Sequence, residues 1–149
     1  MHTSRRDVLK LAGAALASTA FPSIIVPNKL FAGTNSETLK VGLIGCGGRG
    51  SGAAMQALKA DPNVVLHALG DIFPERFDTC LEGLRKVHGE KVKVDDGHKF
   101  VGFDAYQKVI DSGVDVVLLA TPPFFRPQHL EAAIKAGKHI FCEKPVAVD

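Results

Sequence analysis

The chain has 149 residues, enough for one domain around one core. Its 46% hydrophobic and 23% charged residues are those of a globular protein rather than a disordered one. The formal charge of +2 is concentrated in residues 1–32, where Arg5, Arg6, Lys10 and Lys29 face only Asp7; the remainder holds 14 basic and 15 acidic residues, a net −1, which leaves no electrostatic case for a nucleic-acid partner.

The first 32 residues read as an address. "SRRDVLKLAGAALASTAF" has a charged start and an apolar run from Leu11 to Phe21. That run is 11 residues long, against the roughly 20 that a membrane-spanning helix needs. A charged beginning, a short apolar stretch and small residues near Ala20 make a secretory signal. Arg5 and Arg6, followed by Val8, Leu9 and Lys10, resemble a twin-arginine export signal, with Val8 where phenylalanine is usual. The expectation is a periplasmic protein with no stable membrane insertion after cleavage, the cut falling near Ala20 or near Ala32. Residues 33–38 then serve as a linker, ahead of a nucleotide-binding domain over 39–149.

Strands and helices alternate from Leu39 onward. "LKVGLI" is a short apolar strand that leads into a glycine cluster. "SGAAMQALKA" is rich in helix formers and stops at "DPN". "VVLHALG" is a second strand, and "PERFDTCLEGLRKVHG" a second helix with Pro74 at its start and Gly89 at its end. Phe77, Leu81, Leu84 and Val87 predict an apolar face on that helix. "HKFVGF" is a short third strand, and Asp104 is placed to cap the helix "AYQKVIDSG". "VDVVLLA", Val114 to Ala120, is a nearly continuous apolar strand suited to the middle of a parallel sheet. "PQHLEAAIKAG" closes at Gly137, and "KHIFC" is the fifth strand. This order predicts an α/β fold of the Rossmann type: a doubly wound parallel sheet with right-handed crossovers. The glycine-loop strand should lie beside "VDVVLLA", with the switch point between them.

The glycines fall at G-x-G-x-x-G, as Gly45, Gly47 and Gly50, in "GCGGRG". Alone that spacing is weak; between a strand and a helix it is a dinucleotide fingerprint. Gly45 permits the tight turn, Gly47 lets the backbone approach a pyrophosphate, and Gly50 lets the helix pack close to the strand. Cys46, Gly48 and Arg49 complete the turn. Arg49 either adds a charge-assisted contact or points to solvent. Asp71 stands 21 residues after Gly50, where an acid accepts hydrogen bonds from the adenosine ribose. A carboxylate there repels a 2′-phosphate, and Ile72 and Phe73 cannot pair with one. The expected cofactor is therefore NAD, with NADP disfavoured. "ATPPFF" leaves the carboxyl edge of the sheet, and Thr121 and Pro122 form either a stiff loop beside the nicotinamide or a proline-rich helix entry. Cys46, Cys80 and Cys142 have no C-x-x-C spacing and read as small apolar residues, giving neither a disulfide frame nor a metal site.

"VGLIGCGGRG", "GDIFPERF" and above all "AGKHIFCEKP" together resemble the Gfo/Idh/MocA family of glucose–fructose oxidoreductases and inositol dehydrogenases, over Leu39 to Asp149. The resemblance implies a hydride-transferring oxidoreductase acting on a sugar or polyol hydroxyl. It places Lys144 of Glu-Lys-Pro near the nicotinamide and the reacting carbon as the catalytic residue, and Glu143 on the nicotinamide side. It implies a small carbohydrate substrate and a homo-oligomer for the full-length protein. Many members carry a histidine where Arg126 stands; His129 and His139 read as structural residues. The family's substrate domain, with its usual catalytic Asp and His, follows Glu-Lys-Pro, and this chain ends at Asp149. The chain is expected to be a fragment, or a cofactor-binding module without turnover of its own. The enzyme alternative is an NAD-dependent glycoside hydrolase; the non-enzyme alternative is a non-catalytic NAD-binding module.

Overall fold

A computed structural model describes residues 37–148. The export signal over 1–32 and most of the 33–38 linker lie outside the described residues. Five strands and four helices alternate: β1 (Leu39–Ile44), α1 (Gly48–Ala60), β2 (Val64–Asp71), α2 (Glu75–His88), β3 (Lys99–Val101), α3 (Ala105–Asp111), β4 (Val116–Leu119), α4 (Arg126–Lys135) and β5 (His139–Cys142). The strands form one sheet in the order β3-β2-β1-β4-β5, every pairing parallel. β1 pairs directly with β4, Leu43 opposite Leu118, as the sequence predicts. The topology reverses at that pair, so the carboxyl ends of β1 and β4 diverge into a crevice.

Two cores cover the sheet, one on each face. Val41, Leu43, Leu66 and Leu69 pack with Ala54, Leu58, Phe77, Leu81 and Leu84 of α1 and α2. Ile44, Ala68, Val117 and Leu119 pack with Val109, Ile110 and Ala133 of α3 and α4. Side chains alternate along a strand, so Leu43 and Ile44 serve opposite cores. β2 departs from strict alternation. Leu66 pairs with Val41 but Ala68 with Gly42, so His67 is an extra residue in a bulge. The bulge moves Ala68 to the second face and returns Leu69 to the first. Gly42 and Gly70 make room for this second face: a β-carbon on Gly42 would stand 2.5 Å from a Val109 methyl, and one on Gly70 2.9 Å from the other.

Two expectations are corrected. Val87 is exposed, and Cys80 takes the fourth place on the buried face of α2. Ten residues of helix carry Val87 about 80° away from Phe77, off the sheet-facing stripe. Asp104 precedes α3 but its carboxylate makes no cap hydrogen bond; it pairs with the Lys108 ammonium at 2.8 Å instead. Gly89 directly follows the last residue of α2, as the sequence predicts; it is right-handed (φ −48°) and leads into a short 3₁₀ turn. Gly137 does adopt the left-handed form, with φ +66°, and the Lys138 amide donates back to the Ala133 carbonyl at 3.0 Å. The three cysteines are free thiols, Cys46 and Cys80 buried and Cys142 half-buried. Among the described residues no helix is long and apolar enough to cross a membrane.

Candidate functional site

A cleft of about 590 Å³ opens at the carboxyl ends of β1, β2 and β4. Its floor is the glycine turn. Gly45 holds φ +93°, and a β-carbon there would lie 2.8 Å from the Ala120 carbonyl carbon at the end of β4. Its amide donates to the Gly70 carbonyl at 2.8 Å, tying the turn to β2. At Gly50 a β-carbon would fall 1.8 Å from the Gly45 carbonyl oxygen, a position no side chain can take. The close helix–strand contact read from the sequence is therefore present. Gly47 and Gly48 behave differently. Both line the cleft, and a β-carbon at either would meet no protein atom within 4 Å. Their bare backbone faces the space where a ligand would lie, at the start of α1, where amides are unpaired and the helix dipole is positive.

Asp71 ends β2 at the cleft wall. One carboxylate oxygen accepts the Cys46 amide at 2.6 Å, the other the Phe73 amide at 3.0 Å. These bonds fix the carboxylate next to the glycine turn at the cleft wall, and each oxygen keeps a further lone pair with which to accept. Cys46 contributes only its backbone. Its thiol points into the first core and donates to the Gly70 carbonyl at 3.6 Å, so the side chain is no cofactor contact.

Thr121 and Pro122 line the opposite wall at the end of β4. The Thr121 hydroxyl lies 3.2 Å from Nδ1 of His129, whose ring stacks on Tyr106 with centroids 4.2 Å apart. Burial pushes the His129 pKa down to about 4, so the ring is neutral near pH 7. His129 is thus both a packed residue and part of the cleft wall. His139, in contrast, is exposed on β5 and is not a packing residue.

The segment after β5 is held from below by Arg126. That side chain is only 5% exposed. Its Nη1 donates to the Glu143 carbonyl at 2.7 Å and also to the Pro145 carbonyl, across the cis Lys144–Pro145 bond. Arg126 is thus a structural clamp on Glu-Lys-Pro. Glu143 turns its carboxylate toward the glycine turn, where it forms an ion pair with Arg49. The Arg49 hydrogen bond holds the Glu143 carboxyl below the usual carboxylate range, and the same contact raises the Arg49 pKa. The structure therefore joins Arg49 and Glu143, which lie 94 positions apart in the sequence. It does not bring Lys144 into the cleft: the residue is exposed and lies beyond the cleft-lining set. Sequence reasoning missed Arg76, Phe103, Tyr106 and Phe125, which complete the walls. The available signal was aromatic residues in the loops leaving β3 and β4, since Phe103 has no core to enter and is 73% exposed.

A family description, "Oxidoreductase family, NAD-binding Rossmann fold", matches residues 39–149. The chain belongs to that Gfo/Idh/MocA oxidoreductase family. Among curated relatives, a glycosyl hydrolase family 109 protein of Solibacter usitatus is 32% identical over 97% of this chain and 33% of its own length. A myo-inositol 2-dehydrogenase of Thermotoga maritima is 31% identical over 74% of this chain and 29% of its own. A solved scyllo-inositol dehydrogenase from Lactobacillus casei, with bound NAD(H) and scyllo-inositol, superposes with a TM-score of 0.60 at 26% identity, covering 76% of this chain and 30% of that one. The chain thus spans about a third of the length of the curated relatives it matches. The oxidoreductase family's Rossmann fold accounts for the sheet order, the glycine turn and the placement of Asp71 together.

Proposed function

We propose that this chain is the NAD-binding part of an oxidoreductase that moves a hydride between nicotinamide and a carbohydrate or polyol hydroxyl. One observation carries the reading: Asp71 is stitched to the Cys46 amide of the glycine turn, beside two glycines whose missing side chains leave the cleft open. A dinucleotide fits that arrangement. Gly47, Gly48 and the first amides of α1 would hold the pyrophosphate, and Asp71 the adenosine ribose. Thr121, Pro122 and Glu143 would border the nicotinamide, which when bound accepts or returns the hydride. Lys144 is the residue proposed to act on the substrate hydroxyl. It follows Glu143 at the carboxyl edge of the sheet, and its ammonium would donate to the hydroxyl oxygen and steady the charge that develops there. The substrate is a small carbohydrate, bound jointly with a further domain of a longer, homo-oligomeric protein.

In the full-length protein, Lys144→Met would keep most of the stem but remove the charge. NAD affinity should be retained while turnover on a responsive sugar falls by about 100-fold or more. Near-normal turnover would remove Lys144 from the mechanism.

A second reading is an NAD-dependent glycoside hydrolase. The family 109 relative aligns over 97% of the chain, whereas the inositol dehydrogenase aligns over 74%. The two are separated by an aryl glycoside: a hydrolase releases the aryl group without net NADH, a dehydrogenase accumulates NADH on a free sugar. The N-terminal residues are proposed as a twin-arginine signal delivering a folded, cofactor-loaded protein to the periplasm. What supports this is Arg5-Arg6 ahead of a short apolar run. Replacing both arginines with lysine should retain the protein inside the cell; undiminished export of that variant would sink the assignment.

A further inference from the structure

Glu143 presents a contradiction in its placement. The family resemblance assigns it to the nicotinamide side, yet its side chain is only 10% exposed and it does not line the cleft. Its carboxylate is paired with Arg49. The guanidinium rises from the first turn of α1, crosses to the segment after β5 and closes on the Glu143 carboxylate, while remaining 58% exposed itself. Arg49 lines the cleft on the side where Gly47 and Gly48 leave room for phosphates.

We propose that Arg49 is a movable cap on Glu143, a positioning residue that transfers its guanidinium from that carboxylate to the pyrophosphate when a dinucleotide enters, and so uncovers Glu143 at the nicotinamide end. The inference rests on the NAD reading above and adds to it an order of events within the site. Three features make the exchange physically sound. The guanidinium sits between two anions, the carboxylate with one negative charge and a pyrophosphate with two, and its planar fork suits either. The pair is exposed on the arginine side, so an incoming anion can reach the guanidinium while it still holds the carboxylate. Glu143 does not depend on Arg49 for its position: Arg126 grips the backbone of Glu143 and Pro145, and the Glu143 amide donates to the Leu119 carbonyl at 3.0 Å. When Arg49 leaves, the backbone that carries the carboxylate stays where it is. After the exchange the positive charges of Arg126 and Lys144 still favour the ionised carboxylate, against the burial that opposes it.

The cap sets a sign that a simple phosphate contact does not. While Glu143 holds Arg49, it competes with the incoming anion. Removing the carboxylate charge should therefore strengthen binding of the phosphate half of the cofactor. The test uses ADP-ribose, which has the pyrophosphate but no nicotinamide, titrated against the 149-residue chain by calorimetry. Glu143→Gln should tighten ADP-ribose binding by about 3- to 10-fold. Arg49→Gln should weaken it by about tenfold or more, yet leave adenosine, which lacks phosphates, unchanged. In the Arg49→Gln background the Glu143→Gln gain should vanish, because no guanidinium remains to release. Arg49→Lys, which keeps the charge without the fork, should recover part of the loss.

Unchanged or weakened ADP-ribose binding in Glu143→Gln, with the wild type binding ADP-ribose normally, overturns the cap and leaves the NAD reading standing. A wild type that binds neither NAD nor ADP-ribose overturns both. If Glu143→Gln fails to fold, the exposed Arg49 decides the matter: equal loss of ADP-ribose and adenosine affinity in Arg49→Gln would show a general effect on the cleft and refute the exchange.

Discussion

Gly45 and Gly50 are five positions apart and touch across the turn they make. The carbonyl of one occupies the place where the other would carry a β-carbon, at 1.8 Å. No rotamer relieves such a contact, because the obstacle is backbone. Gly50→Ala must push α1 away from β1 or twist the turn, and either change disturbs the Cys46 amide that holds Asp71. The expected loss of stability is about 2–4 kcal/mol, on the scale of an overpacked core position with added backbone strain. The urea midpoint of the chain reads it. Gly52→Ala, a helical glycine with nothing within 4 Å, is the matched control and should be neutral or slightly stabilising. A Gly50→Ala variant within about 0.5 kcal/mol of wild type would contradict the packing argument. The residue scale also explains why a charged Arg126 stands buried. Its Nη1 donates to two carbonyls of the Glu-Lys-Pro segment and so holds that loop at the cleft wall.

Among the elements, β1, α1 and the turn between them were legible because three signals coincided there. These were an apolar β-branched run, glycines at fixed spacing, and a run of helix formers. The five-strand parallel order followed from alternation alone. β3 is shorter than its predicted segment, Lys99–Val101 within "HKFVGF", because it is an edge strand with a neighbour on one side only. The bulge at His67 left no trace in hydropathy, since Leu66 and Leu69 both read as core whether or not alternation slips between them. Val87 misled for a related reason: ten residues of accumulated helical rotation turn a core-facing position outward. For the site, Gly45, Gly47, Gly50 and Asp71 could be read from spacing. The Arg49–Glu143 pair could not, because its partners come from the two strand ends that only the folded sheet brings together. Lys144 entered through resemblance, and no local pattern in "EKP" distinguishes it from a solvated turn.

At the scale of the whole molecule, the domain has a cleft where most of its sheet edge should be covered. Aromatic rings of Phe73 and Phe103 stand half or more exposed around about 590 Å³ of open space, above backbone amides with no partner element. A dinucleotide would supply the missing contacts, stacking surface at one end and anionic acceptors for the amides at α1, so binding and stability should be linked. At a hundredfold excess over Kd, a ligand that binds only the folded chain adds about 2.7 kcal/mol. For a domain of this size that corresponds to a rise in Tm of about 10–15 °C. The discriminating variant is Gly47→Val. Gly47 has extended backbone, φ −69° and ψ −177°, that valine adopts freely, and its β-carbon meets no protein atom within 4 Å. Its cost to the free chain is about 1 kcal/mol, that of a poor residue at a helix N-cap. Its isopropyl group, however, would fill the approach to the pyrophosphate. Thermal melts with and without NAD should therefore show a free chain lowered by only a few degrees and a cofactor-induced rise that disappears. A Gly47→Val chain that NAD still stabilises by the full amount would mean that the glycine turn is not where the phosphates bind. A wild type that NAD does not stabilise at all would mean that the cleft binds something else.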